Sequence, residues 1–295
     1  MYFGVLGDST VDAYRGTDNR GGSYAATTFN PVELLHRLRN FDLGAWGSYS
    51  EPRRTDYARN WARSNAEMPD LDSQGQTAGL VAQAELGQVQ CAYIRVGTND
   101  FSWYGSLYAD IYSGTLSGAG LTAELHSRAD VILSAVDQLL AAGVSYIVVR
   151  GIAYRGDAAA AANGYSNATY RARVRDAAIA TNAYLLPLLT SRGVASYDTY
   201  AIDQTAYIES YSGHAGIWAG PGFVNVDTAG DEPHNAVLAD NLHPGTMANV
   251  IEANEIVIGP LNKTYNLGIR KISYPDAWIE AGVPSLGVYG RIDRR

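Results

Sequence analysis

Short apolar runs alternate with stretches of helical period along this chain. Tyr2–Leu6 is the first run and leads into Gly7, Asp8 and Ser9. Ala92–Val96 ends at Gly97, Ser145–Val149 is rich in β-branched residues, and Val194–Tyr197 follows. Runs of this length bounded by turn residues predict buried strands. Asn30 is placed to cap a helix that starts at Pro31, with Leu34, Leu35 and Leu38 on its apolar face. A helix is predicted over 77–90. A longer one over 121–142 repeats Leu125, Ile132, Val136 and Leu139 at the helical period, and Gly143 closes it. The helix predicted over 168–191 carries Val174, Leu185 and Leu188, and Pro187 is expected to kink or divide its last part. A final helix begins near Thr246 and carries Val250, Ile251 and Ile256. Residues 41–76 read mostly as loop with some short elements.

Strand and helix in alternation imply a parallel sheet covered on both faces. Ligands of such sheets sit at the carboxyl ends of strands. Ser9 and the segment Gly97–Asp100 both lie just past such an end. No internal repeat occurs, and no linker divides the chain before residue 260. Residues 1–261 therefore read as one domain. Residues 262–295 lack clear periodicity and form either an extension packed on that domain or the truncated start of a further segment.

Composition narrows the function. The chain has 295 residues, of which 46% are hydrophobic and 18% charged, which excludes a disordered, collagenous or coiled-coil protein. Its net charge is −8, and it has no run of five basic residues, so no nucleic-acid partner is expected. Cys91 is the single cysteine, which leaves no internal disulfide and no cysteine metal cluster. No stretch approaches 18 apolar residues, so no membrane span is expected. No signal peptide precedes the first strand, although a chain starting after a removed signal reads the same way. Abundant Gly, Tyr, Asn and Thr with little Lys fits an extracellular or periplasmic protein, with the cytoplasm as the alternative.

A Ser behind a strand is ordinarily a turn former or a helix cap. Ser9 gains interest only with a general base and an oxyanion hole. Asp240 and His243 stand three apart on a short turn before a helix. There the Asp can bond one ring nitrogen and leave the other facing outward as proton acceptor. Asn99 ends a strand and can offer a side-chain N–H to a developing oxyanion. The segment Asn60–Ala66 lies between the first and second of these sites.

These four segments, in this order and spacing, resemble the blocks of the GDSL or SGNH hydrolase superfamily. Gly7–Ser9 resembles its nucleophile block, Asn60–Ala66 its second block, Gly97–Asp100 its Gly-x-Asn-Asp block, and Asp240–His243 its Asp-x-x-His block. The resemblance implies a three-layer α/β/α sandwich with a parallel, flavodoxin-like sheet. It implies Ser9 as nucleophile, His243 as general base and Asp240 as the group orienting His243. It implies an oxyanion hole from the backbone N–H of Ser9, the N–H at Asn65 and the side chain of Asn99. Asn65 departs from the family, which has Gly there. If that Gly holds a positive φ, Asn is its cheapest replacement. Thr10 stands where the family has Leu.

The remaining candidates carry plainer readings. His36 and His126 lie within helices and read as packing or surface residues. His214 either lines a cleft or is solvated. Cys91 reads as a small buried apolar residue. A second Asp-x-x-His segment, Asp231–His234, has Pro233 before its His and leads into more loop. Trp103 and Tyr104 directly follow the Asn99 block and either pack over the sheet edge or wall the substrate pocket. No His and acidic residues show zinc spacing, so neither metal nor cofactor is expected. The expected activity is hydrolysis of short-chain carboxylic esters through an acyl-enzyme, on a small-molecule or glycan ester. Removal of acetyl groups from a glycan is the alternative within enzymes. A carbohydrate-binding or adhesion module that keeps the fold without turnover is the alternative outside them.

Overall fold

The apolar runs pair side by side in the computed structural model, which describes residues 1–154, 157–199 and 216–287. Among these residues the strands are β1 (Phe3–Gly7), β2 (Trp46–Ser48), β3 (Thr55–Tyr57), β4 (Cys91–Arg95), β5 (Tyr146–Arg150), β6 (Ala195–Tyr197), β7 (Gly216–Ala219), β8 (Gly222–Ala229) and β9 (Asn235–Val237). The α-helices are α1 (Pro31–Arg39), α2 (Asp70–Ser73), α3 (Gln76–Glu85), α4 (Tyr108–Ser113), α5 (Gly118–Ala141), α6 (Asp157–Ala162), α7 (Ala168–Ser191), α8 (Thr246–Glu252), α9 (Gly259–Tyr265) and α10 (Tyr274–Glu280). A π-helical turn, Ala253–Ile258, joins α8 to α9.

The main sheet is parallel, with the order β1-β4-β5-β6. Phe3 pairs with Cys91 and Gly7 with Arg95, so β1 and β4 end level. Along the other edge of β1 runs the segment 59–63. Val5 N–H donates to the Arg59 carbonyl at 3.0 Å, Trp61 N–H to Val5 at 2.9 Å and Arg63 N–H to Gly7 at 3.0 Å. Counting that segment, the chain visits its positions in the doubly wound order 2-1-3-4-5, in which the ligand crevice opens at the carboxyl end of the first strand.

Each face of the sheet is sealed by helices. Leu6, Ala92, Ile94, Ile147 and Val149 pack against α3, α5 and α7. Phe3, Val5, Tyr93 and Val148 pack against α1, α8, the π turn and α10. Two buried faces explain why the strands read as near-continuous apolar runs. They make three layers, α/β/α. Trp278 of α10 is 1% exposed within the second cluster. Its indole N–H donates to the Ala219 carbonyl at 2.8 Å. The Tyr265 hydroxyl donates to the Ile147 carbonyl of β5 at 3.0 Å.

The helix signals act as read, with adjustments at their ends. The Asn30 side chain accepts from the N–H groups of Val32 and Glu33, and Glu33 reaches back to the N–H of Asn30. A cap of this kind is worth about 1 kcal/mol. α3 ends at Glu85, earlier than the spacing predicts, because the N–H groups of Gly87 and Gln88 fold back onto Ala84 and Gln83. Pro187 does not divide α7, which runs to Ser191. Strands β7, β8 and β9 arise where the hydropathy pattern assigned none. They form a separate three-stranded sheet beside the Asp240–His243 turn. Among the described residues no helix is long and apolar enough to cross a membrane.

Candidate active site

Gly7 ends β1 against the main chain of β4. Its φ is 157°, and a Cβ there would lie 2.2 Å from the Arg95 carbonyl oxygen, so only Gly fits this close approach. The next residue turns the chain. Asp8 N–H donates to the Arg95 carbonyl at 3.1 Å, and its carboxylate accepts the N–H of Thr10 at 2.9 Å and the Thr10 hydroxyl. Val11 and Asp12 then fold back onto the Asp8 carbonyl. Ser9 is left at the crest of this turn, 6% exposed. Among the described residues its N–H has no hydrogen-bond acceptor.

The turn Asp240–His243 faces it. One carboxylate oxygen of Asp240 accepts the N–H groups of Leu242 and His243, both at 2.9 Å. The other lies 2.7 Å from His243 Nδ1. The turn is fastened to β9 by Leu238 N–H to the His243 carbonyl at 2.8 Å and Gly245 N–H to Ala236 at 2.9 Å. Asn249 of α8 donates to the Pro244 carbonyl at 2.9 Å. His243 Nε2 then lies 2.7 Å from Ser9 Oγ.

A carboxylate only accepts, so a contact of this length places the ring proton on Nδ1 and leaves the Nε2 lone pair toward the Ser9 hydroxyl. Burial pushes the Asp240 carboxyl up, but the ring and backbone hydrogen bonds from His243 outweigh it and hold it at about 2. Burial, joined by the nearby Arg20 charge, holds His243 below its ordinary value, with Asp240 pulling the other way. A base so placed is neutral near pH 7 and free to take a proton.

The other two predicted donors follow the two elements that flank β1, Asn65 the segment 59–63 and Asn99 strand β4. Asn65 follows the segment that pairs with β1, and its φ is 69°. That is the left-handed backbone expected of an Asn in a Gly position. Its N–H also has no acceptor among the described residues. Asn99 is joined to the same turn, since its Nδ2 donates to the Ala66 carbonyl at 2.9 Å. Its Oδ1 accepts the Tyr104 hydroxyl at 2.9 Å. The two partners fix which end of the amide is which and leave one Nδ2 hydrogen unassigned. From behind, Asp100 accepts the N–H of Met68 at 3.0 Å and an Arg128 N–H at 2.6 Å. Arg128 also donates to Glu67 at 2.9 Å. One α5 side chain thus ties together the two turns that carry Asn65 and Asn99.

Tyr104 is 40% exposed beside Asn99, and Trp103 meets it edge to face at 5.2 Å. Trp103 also packs on the α3–α5–α7 core. His234 is exposed, and Asp231 accepts from the Ala239 N–H at 3.1 Å. No hydrogen bond joins that second pair among the described residues. His36 bonds the Phe41 carbonyl at 2.9 Å, His126 stacks on Tyr184 at 3.8 Å, and Cys91 is buried. His214 lies outside the described residues. Among the described residues no three His, Cys, Asp or Glu side chains converge as a metal site requires.

Sequence reading missed the groups that brace the His243 pair. Arg20 Nη1 lies 3.1 Å from His243 Nδ1, and the Tyr14 ring meets the imidazole edge-on at 6.0 Å. Neither lies in a motif, and an isolated Arg in a Gly-rich loop carries no signal of its own.

No family model matches the chain, and no curated protein does. Solved structures similar to it include an acetylxylan esterase from Geobacillus stearothermophilus, with 16% identity, 85% of this chain and 90% of that one covered, and a TM-score of 0.45. A phospholipase A1 from Streptomyces albidoflavus shows 18% identity over 89% of this chain and 98% of its own, with a TM-score of 0.41. An extracellular lipase from Streptomyces rimosus shows 16% identity over 89% and 98%, with a TM-score of 0.39.

Proposed function

We propose that this chain is a serine hydrolase of carboxylic esters, of the SGNH type. The observation that carries the reading is the continuous contact from Ser9 Oγ through the His243 ring to the Asp240 carboxylate, 2.7 Å at each step. The unbonded N–H groups of Ser9 and Asn65 support it.

In the proposed reaction Ser9 Oγ attacks the ester carbonyl as its proton passes to His243 Nε2. Asp240 holds the Nδ1 proton and balances the imidazolium. The carbonyl oxygen becomes an oxyanion that accepts from Ser9 N–H, Asn65 N–H and the second Nδ2 hydrogen of Asn99. Collapse breaks the bond from carbonyl carbon to alcohol oxygen, and His243 returns its proton to the leaving alcohol. Water, deprotonated by His243, then repeats the sequence on the acyl-enzyme and frees the acid and Ser9.

The acyl groups proposed are short. A sugar as the alcohol, with acetate as the acyl group, is the second reading. It is favoured by the exposed Tyr104 ring and its Trp103 neighbour beside Asn99. A fluorophosphonate probe is expected to label Ser9 and nothing else, and Ser9→Ala to lose both the label and hydrolysis of p-nitrophenyl acetate. Labelling at another residue would refute the assignment. An acyl-length series beside an acetylated polysaccharide separates the two substrate readings.

A further inference from the structure

Arg20 lies in the loop between β1 and α1, and its side chain is 15% exposed. Its Nη1 is 3.1 Å from His243 Nδ1 and 3.6 Å from Asp240 Oδ2. Its Nη2 donates to Asp18 at 2.9 Å and to the Ser64 hydroxyl at 3.2 Å. Ser64 immediately precedes Asn65. Its N–H and hydroxyl also bond Asp12, at 2.8 and 2.9 Å. Arg54 closes the array, with 2.5 Å to Asp12 and 3.2 Å to Asp18. One planar guanidinium therefore touches the His–Asp pair with one nitrogen and the Asn65 turn with another.

The Nη1 contact has a defined meaning. While His243 Nδ1 carries the proton that Asp240 accepts, Arg20 has no lone pair to donate to on that nitrogen. It stands there as a fixed positive charge. The charged groups facing the ring are Asp240 from its own turn, Arg20 from the β1–α1 loop and Asp8 from the Ser9 turn. Tyr14 and Ser9 contribute an aromatic edge and a hydroxyl. The two carboxylates favour the imidazolium. Burial and Arg20 act together against that.

We propose that Arg20 is a positioning residue, which keeps His243 a neutral base in mild acid and locks the His243–Asp240 pair to the Ser64–Asn65 turn. The proposal rests on the reading of Ser9 as an ester-cleaving nucleophile.

The test is the pH profile of kcat/KM on p-nitrophenyl acetate for the wild type, Arg20→Gln and Arg20→Lys. Arg20→Gln is expected to lose about tenfold more activity on the acidic limb than on the alkaline plateau, the low end of what one adjacent charge does. Arg20→Lys restores the charge but cannot span both partners. It is expected to keep the wild-type limb while its plateau kcat falls about threefold to tenfold. An acidic limb unmoved in Arg20→Gln, or equal loss at every pH, overturns the proposal. Should Arg20→Gln not fold, Asp18→Asn reads the same coupling with opposite sign. Freed of Asp18, the Arg20 charge should move the limb to lower pH, and an unmoved limb again overturns the proposal. Titration of the His243 ring by NMR needs no turnover. If the wild type shows no ester hydrolysis that Ser9→Ala removes, the ester-hydrolase reading falls, and the ring titration still decides the effect of Arg20.

Discussion

Beyond the His243 ring that the Ser9 hydroxyl meets runs a row of charges: Asp240, Arg20, Asp18, Arg54 and Asp12, each within ion-pairing reach of the next. The groups proposed to meet the oxyanion are neutral amides. Besides the Ser9 N–H, they are the Asn65 N–H and the Asn99 side chain, itself held by the Ala66 carbonyl and the Tyr104 hydroxyl. Ions border these amides too: Arg128, Asp100 and Glu67 tie the turns that carry them, and Asp12 and Asp18 bond Ser64 just before Asn65. The contrast follows from what each flank must do in the proposed reaction. A general base changes charge during turnover, so its surroundings must compensate in both states. An oxyanion hole acts by dipoles fixed in advance.

The largest expected effect lies on the charged flank. His243→Ala is expected to lower kcat by about 10⁴-fold or more, since without a base the serine hydroxyl is barely nucleophilic. His234→Ala is expected to retain most activity, because His234 is exposed and no bond joins it to Asp231. Steady-state kinetics of both variants checks this, and the reverse pattern would move the base to the other pair.

The two flanks also differ in how far they could be read from the sequence. Ser9, Asn99, Asp240 and His243 were legible because each sits in a short block at a strand end or before a helix. The four strands of the main sheet were legible because both faces are buried, which writes them as apolar runs. Asn65 was legible through a departure: an Asn in a Gly position implied positive φ, and φ is 69°. Arg20 and Asp18 were not, because they act through contacts across loops that have no period. The same holds for the π turn after α8, and for β7–β9, whose polar and apolar residues form no apolar run like those of the main sheet. Sequence pattern records burial and periodicity; it does not record which loop folds over which.

On the dipolar flank, Asn99→Ala is expected to lower kcat by about 10²–10³-fold, the usual loss for one oxyanion donor. KM should change little, because the bond matters mainly in the transition state. A kcat within threefold of wild type would remove Asn99 from the hole and leave that flank with backbone donors only. Asn65 comes next. Asn65→Gly is expected to keep activity, since Gly adopts the same backbone. Asn65→Val forces a β-branched residue into positive φ and is expected to cost about 1–2 kcal/mol of stability together with roughly tenfold in kcat. Thermal melts and kinetics on the two variants separate strain from a requirement for the side chain. Equal behaviour of Gly and Val would mean that this backbone has no part in the rate.

The smallest effect tests how a neutral flank is kept in order. The Tyr104 hydroxyl donates to Asn99 Oδ1 at 2.9 Å, which fixes the amide and polarises its N–H toward the proposed oxyanion. Tyr104→Phe removes that donor, but Asn99 keeps its bond to Ala66. Tyr104 is also 40% exposed, so water can take its place on Oδ1. The expected loss in kcat is therefore about threefold to tenfold, the order of one net hydrogen bond. A role in holding substrate would instead raise KM at constant kcat. The sharper measurement is a double-mutant cycle. If Tyr104 acts only through Asn99, Tyr104→Phe costs nothing further once Asn99 is Ala, and the two effects fail to add. Full additivity would mean that the hydroxyl reaches the reaction by another route, and Tyr104 would then belong with the substrate pocket rather than with the oxyanion hole.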